Sequence, residues 1–586
     1  MSYNWNLEIL YRGLEDPAFE ADLARLDELT AALNSLAGEA DGLEDAALVK
    51  RYLALNEELA LVSGKLYGYC MLRYSVNTGD SAISGMAGRL MGKFSESTAA
   101  ETALQNRIAG MQMLDALIDG DDAVRPYRYL LTNIRRDSKY RLSEKEEALF
   151  ATMNISGAAA WGDLQSSLTS TVKASYRGQK LTLPAVRNLA YDADASVRRD
   201  AYEAELGCYG RIQDSVAFAL NSIKLQVLNE CRLRGYASPL EKSLLSSRMK
   251  RETLDALLGA IEEYLPVFWK YLRAKAEAMG YENGLPWFEL FAPMGRNDRR
   301  FTAEEARDYL LNIFRSFDGQ LHDMVARAFD ENWIDFFPAE GKVGGAFDYG
   351  VPSAGQSRVL TNFDGSFSDV VTLAHELGHA FHDQQVFSHP LLNQEYSMPV
   401  AETASTFNEV VVVSEAIRRS TSDAERLSLM ESQISDACQI ICDIYSRYLF
   451  ESAVFERRAE EFLDADTLCA IMLDAQKKAY GDGLDPAYLH PYMWLCKGHY
   501  YSGSLSFYNF PYAFGGLFAR GLYARYQQEG ARFVPLYKEM LHATSVCDVE
   551  DCARIAGVDL TSRAFWESGL QSLAEEIEQL CGMLKK

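Results

Sequence analysis

His375-Glu376-Leu377-Gly378-His379 is the stretch on which the reading of this chain turns. Residues four apart in an α-helix share a face, one turn above each other. The imidazoles of His375 and His379 therefore point the same way and can grip one metal ion. The carboxylate of Glu376 is placed to take a proton from a water at that ion. The chain holds only 8 His in 586 residues. That composition predicts on the order of 0.01 chance occurrences of the pattern.

Working outward, Ser366-Phe367-Ser368-Asp369 has the Ser-x-x-Asp form of a helix start. Val370, Leu373, Ala374, Leu377 and Phe381 recur at helical spacing and give that helix an apolar back. Upstream, Ser357-Arg358-Val359-Leu360-Thr361-Asn362-Phe363 reads as a strand ended by Asp364-Gly365, and Gly344 to Gly350 is a glycine-punctuated extended segment. A strand leading into a metal-binding helix suits peptide hydrolysis, because an extended substrate can pair with the strand edge.

A catalytic zinc takes three protein ligands and keeps one position for water. Glu402, Glu409, Glu395 and His382 are the candidates for the third ligand. Pro399 starts a second helix, on which Glu402 and Glu409 are seven apart and share a face. Glu402 there completes a His-His-Glu set, with Glu409 supporting a ligand histidine. His382 lies two turns beyond His375, about 10 Å along the axis, which is long for a shared ion.

Asp369-Val370-Val371-Thr372-Leu373-Ala374-His375-Glu376-Leu377-Gly378-His379-Ala380-Phe381-His382 resembles the metal-binding segment of the thimet oligopeptidase and oligoendopeptidase F metallopeptidases. Val400-Ala401-Glu402-Thr403-Ala404-Ser405-Thr406-Phe407-Asn408-Glu409 is similar to their third-ligand segment. Gly344-Gly345-Ala346 and Ser357 to Phe363 also look like their active-site strands. A weaker resemblance to oligoendopeptidase F runs from about Trp161 to the C-terminal region. The resemblance implies one zinc per chain on His375, His379 and Glu402, with Glu376 as general base. It also implies two lobes flanking a deep channel that admits short, unfolded peptides.

The family places a histidine and tyrosines late in the chain, and the matching stretch is His499-Tyr500-Tyr501-Ser502-Gly503-Ser504-Leu505-Ser506-Phe507-Tyr508-Asn509-Phe510-Pro511-Tyr512. The resemblance implies that His499 binds substrate and that Tyr508 and Tyr512 bind the carbonyl oxygen. The loop departs from the usual pattern. It is about two residues longer, and Phe510 stands where oligoendopeptidase F often has another tyrosine. Tyr501 is a further candidate, and aromatics four apart such as Tyr508 and Tyr512 also fit a packing stripe. Gly503 and Gly515-Gly516 are places where a loop can move or turn tightly.

At 48% hydrophobic and 24% charged the chain is globular and long enough for a large core. Leu23, Leu26, Leu29, Leu33 and Leu36 recur at threes and fours. Further helices are readable near 44–74, 84–110, 193–235, 252–280 and 426–463, and Arg177-Gly178 marks a hairpin. The expected fold is mainly α, with a small β-sheet beside the metal helix. We divide it into an N-terminal helical lobe, 1–190, and a catalytic domain, 191–586, sharing helices.

The net charge of −25 argues against a nucleic-acid binder, which depends on a basic footprint. Met1-Ser2-Tyr3-Asn4-Trp5-Asn6 lacks the basic start and apolar core of an export signal, and no apolar run is long enough for a membrane helix. The ten Cys lack metal spacing, and Cys438 and Cys442 read as packing. A cytoplasmic enzyme with reduced thiols is expected. The function that follows is zinc-dependent internal cleavage of short peptides. A zinc carboxypeptidase or dipeptidyl carboxypeptidase is the alternative and needs an anchor for a terminal carboxylate. Arg358 is close in sequence, although anchoring its strand suits it better. A non-catalytic peptide-binding protein is a third class, disfavoured by Glu376. No Gly-x-Ser-x-Gly elbow is present.

Overall fold

A computed structural model describes residues Tyr3–Gly295 and Arg299–Lys585. Met1 and Ser2, part of the stretch read for an export signal, lie outside them. Helices dominate, as the periodicity requires. Pro17–Glu39 turns Leu26, Leu29, Leu33 and Leu36 inward, and Arg251–Ala278 runs unbroken through Pro266. Two of the expected helices are split. The 84–110 segment forms Ser81–Ser95 and Thr98–Ala109, and 193–235 forms Ala195–Tyr209 and Gln213–Arg234. A break of two or three residues barely disturbs a 3.6-residue period, which is why the pattern conceals it. Asp423–Cys438 passes through a π-helical turn, Gln439–Asp443, into Ile444–Arg458. Among the described residues, no helix is long and apolar enough to cross a membrane.

The residues group into two compact units, each assembled from three chain segments. The first comprises Met1–Lys139, Asp298–Val412 and Glu529–Ala556. The second comprises Tyr140–Asn297, Val413–Gln528 and Gly557–Lys586. A single cut near residue 190 does not describe this grouping. The physical reason lies in the core of the first unit, where Trp5, Leu10, Tyr11, Phe19, Leu66 and Tyr69 pack in one cluster with Val351 and Leu360. The N-terminal helices thus cover the sheet next to the metal helix, a long-range packing that the linear sequence does not display.

That sheet has three strands. Gln356–Leu360 is central, parallel to Ile334–Asp335 and antiparallel to Phe347–Val351, with Tyr349 opposite Arg358. Arg358 is fully buried. Its Nε donates to the Asn6 carbonyl at 2.8 Å, and its terminal nitrogens donate to the Ser357 carbonyl at 2.6 Å and Gln356 Oε1 at 3.0 Å. It ties the N-terminal segment to the strand and is not an exposed carboxylate anchor.

In the second unit Lys173–Tyr176 and Gln179–Thr182 form the expected hairpin. Arg177 and Gly178 both have positive φ, 45° and 81°, the left-handed pair that a two-residue turn matched to strand twist demands. Buried ion pairs cross this unit, Lys275 with Glu431 at 2.6 Å and Lys224 with Glu451 at 2.7 Å.

Candidate metal centre and active site

The helix carrying the motif is Phe367–Val386. Ser366 caps it, accepting from Asp369 N while the Asp369 carboxylate answers the Ser366 amide, a reciprocal capping box. Val370, Leu373, Ala374, Leu377 and Phe381 are buried. His375 and His379 are half-buried on the other face.

The second segment differs from the single helix expected. Met398–Ala401 is a short helix, Glu402 lies at its end with φ −88° and ψ 8°, and Thr403–Arg419 begins directly after it. Glu402 is therefore a junction residue. The two segments meet at Gly378, where a Cβ would come within 2.5 Å of Ser405 Cα and 2.6 Å of the Ala404 carbonyl oxygen. Only glycine lets the helices approach this closely. Asn408 reinforces the contact, donating to the Ala374 carbonyl at 3.2 Å.

This approach brings three donors together. Nε2 of His375 and Nε2 of His379 are 3.2 Å apart. Oε2 of Glu402 is 3.2 Å from the first and 3.3 Å from the second. Zinc bonds of about 2.0–2.1 Å at tetrahedral angles place neighbouring ligands roughly 3.3 Å apart, so the three atoms fit one face of such a tetrahedron. Two imidazoles and a carboxylate are also a donor set that zinc accepts. Behind them, Glu409 Oε1 lies 2.6 Å from His375 Nδ1, and Ser405 donates to Glu402 Oε2 at 2.9 Å.

The electrostatics suit a cation. Burial disfavours the charged form of His375, yet its hydrogen bonds to Glu402 and Glu409 outweigh this and raise it to about 10. Burial likewise works against the Glu402 carboxylate, but the two histidines pull it far below its usual range. The cluster therefore holds positive charge between its imidazoles and carboxylates. Burial raises Glu376, which is 6% exposed.

His382 is excluded from the cluster. It is fully buried, stacked on Tyr396 at 4.1 Å, with Nε2 2.7 Å from Thr544 Oγ1. The Thr544 hydroxyl donates to the Leu541 carbonyl, so it accepts from His382.

His499, Tyr508 and Tyr512 belong to the second unit and come together there. The His499 ring centroid is 5.0 Å from that of Tyr508 and 6.1 Å from that of Tyr512, and the two tyrosines are 5.3 Å apart. Phe507 holds the loop in place. Its φ is +54°, and its buried ring stacks on Phe455 at 5.5 Å. Asn509 donates to Glu451 Oε2 at 2.9 Å. Tyr501 is removed as a candidate, since its ring is buried and its hydroxyl donates to the Trp494 carbonyl at 3.0 Å. Phe510 is buried.

Gly503 and Gly516 are positions of close contact. A Cβ at Gly503 would meet Ala158 Cβ at 2.6 Å, and one at Gly516 would meet Ile440 at 3.0 Å. The residues that pattern reading missed are Gly378, Phe507, Asn509 and Arg447, whose terminal nitrogen lies 2.7 Å from His499 Nδ1. Of these only Gly378 carried a sequence signal, a glycine inside a helical pattern.

A mainly helical chain whose H-E-x-x-H helix meets a carboxylate as third donor beside a small sheet is a metallopeptidase. Comparison with known proteins gives the family. Residues 188–572 match peptidase family M3 and residues 110–173 match oligopeptidase F. The chain belongs to peptidase family M3 and is a metalloendopeptidase. It is 24% identical to oligopeptidase PepF of Bacillus subtilis (strain 168), over 99% of this chain and 87% of that protein. It is 23% identical to group B oligopeptidase PepB of Streptococcus agalactiae serotype III (strain NEM316), over 100% and 97%. The structure of oligoendopeptidase-F from Enterococcus faecium has the same fold, with a TM-score of 0.72 at 18% identity, covering 97% of this chain and 99% of that one.

Proposed function

We propose that this metallopeptidase is a zinc-dependent endopeptidase that cleaves internal bonds of short oligopeptides, with one zinc on His375, His379 and Glu402. The observation that carries this reading is the convergence of the three donor atoms at 3.2–3.3 Å. Zinc, when bound, polarises the scissile carbonyl and brings the pKa of a water toward neutrality. Glu376 accepts the proton of the attacking water at its carboxylate and later delivers it to the leaving nitrogen. Its burial favours the protonated form that the second half of this shuttle requires. Glu409 orients His375 through Nδ1. His499, Tyr508 and Tyr512 are the proposed hydrogen-bond donors to the substrate, the tyrosines acting on the carbonyl oxygen as it gains charge. Each such donor is worth about 3 kcal/mol of transition-state binding.

Short peptides are the proposed substrates. The burial of Arg358 supports internal cleavage over carboxyl-terminal trimming, since that cation does not reach a substrate terminus. All ten cysteines are unpaired, which supports a reducing compartment, the cytoplasm.

The test compares wild type with Glu376→Gln for metal content and for cleavage of a quenched fluorescent peptide of roughly ten residues, a length that lies extended in a cleft. The expected result is one metal per chain in both and cleavage only in wild type. Absence of metal from zinc-supplied wild type overturns the reading. A ladder of peptide lengths then separates internal cleavage from end trimming by the products released.

A further inference from the structure

His499 turns its Nδ1 toward a residue that the proposed chemistry does not use. Nδ1 lies 2.7 Å from a terminal nitrogen of Arg447. Arg447 stands on helix Ile444–Arg458 and is only 6% exposed. Asp443, one turn earlier, lies 3.8 Å from its guanidinium.

A guanidinium has N–H donors and no acceptor, and it does not deprotonate in proteins. The nitrogen facing it must therefore accept. A neutral imidazole that accepts at Nδ1 carries its hydrogen on Nε2. We propose that Arg447 is a positioning residue that locks His499 as the neutral Nε2–H tautomer, so that His499 can give a hydrogen bond to a peptide substrate but cannot take a proton from it. This rests on the reading of His499 as a substrate-binding residue. It adds the direction of the hydrogen bond and the residue that sets it.

The surroundings agree. Burial lowers the His499 pKa, and the nearby cations Arg447 and Lys497 lower it further. Glu451 acts in the opposite sense, but its oxygens already accept from Lys224 at 2.7 Å and Asn509 at 2.9 Å. The rings of Tyr508 and Tyr512 also face it. Burial and the two cations thus both act against a second proton on the ring, in the same sense as the contact of Nδ1 with Arg447.

The test uses zinc-loaded full-length enzyme with 15N-labelled histidine. The His499 signals are assigned by their loss in His499→Ala. Wild type is expected to show an unprotonated Nδ1 and a protonated Nε2 from about pH 6 to 8, the range in which a free imidazole titrates. Arg447→Met should give mixed tautomers and titration at higher pH, and lower kcat by roughly tenfold to a hundredfold, the loss of one oriented donor. Arg447→Lys keeps a cationic donor and should restore the wild-type tautomer. A proton on Nδ1 in wild type overturns the proposal. So does an Arg447→Met enzyme that is folded and less active with an unchanged His499 spectrum, because Arg447 is then only structural. The underlying reading of His499 fails separately, if His499→Ala retains wild-type kcat and KM.

Discussion

Glu409 Oε1 lies 2.6 Å from His375 Nδ1, across 34 residues of chain. A carboxylate at Nδ1 makes that nitrogen the donor, so His375 would offer its Nε2 lone pair beside His379 and Glu402 when a metal displaces the Nε2 proton. Partners of this kind fix the tautomer and raise the basicity of a ligand histidine. Glu409→Gln is expected to weaken zinc affinity about 10–100-fold. Competition with a chelating indicator measures this. An affinity equal to wild type removes Glu409 from the design.

Gly378 makes the geometry of the donors possible. Its added Cβ would meet Ser405 Cα and the Ala404 carbonyl, atoms of backbone that cannot rotate away. Gly378→Ala should push helix Thr403–Arg419 outward and carry Glu402 with it. The expected cost is about 1–3 kcal/mol of stability, together with weakened zinc binding. Urea unfolding and metal titration check the two effects independently.

The Lys224–Glu451 pair is buried, 0% and 2% exposed on its two sides. Lys224→Met leaves a carboxylate without its cation in the interior, which costs about 3–5 kcal/mol. Glu451 also receives Asn509, so the Tyr508 loop should loosen as well. The expected outcome is a lower unfolding midpoint in urea and a lower kcat, with zinc content unchanged. A midpoint equal to that of wild type contradicts the assignment.

Burial drives His382 from 6.5 down to about 3. The folded protein then binds fewer protons than the unfolded chain between these two values. Its contribution is fully present above about 6.5 and is lost as pH falls toward about 3, at up to about 1.4 kcal/mol per pH unit. His382→Gln removes this linkage. Its unfolding free energy should fall less steeply than that of wild type between about pH 6.5 and 4.5, the upper part of that window. Parallel slopes in urea titrations at the two pH values refute the prediction.

Much of the catalytic helix was legible in the chain. Ser366 and Asp369 marked its start, the spacing of Leu373, Leu377 and Phe381 gave its buried back, and His375 and His379 lay on the other face. These are properties of residues a few positions apart, governed by helical period and capping, and the chain states them directly. The hairpin at Arg177-Gly178 was readable for the same reason.

The third ligand was a different matter. Glu402, Glu409, Glu395 and His382 were all chemically able; spacing favoured Glu402 with Glu409 in support and argued against His382, but it could not show the donors meeting. What distinguishes them is the contact at Gly378, which brings Glu402 to the two histidines and Glu409 behind one of them. His382 meanwhile turns into a core with Tyr396 and Thr544. The grouping of the N-terminal helices with the sheet, and the tautomer that Arg447 imposes on His499, are likewise invisible along the chain. The sequence by itself determined which chemistry was available, because ligand and base are residue types at helical spacing. Tertiary structure decided which of these residues come together, because ligation and hydrogen bonding act over about 2–3 Å, between groups that only long-range packing brings that close.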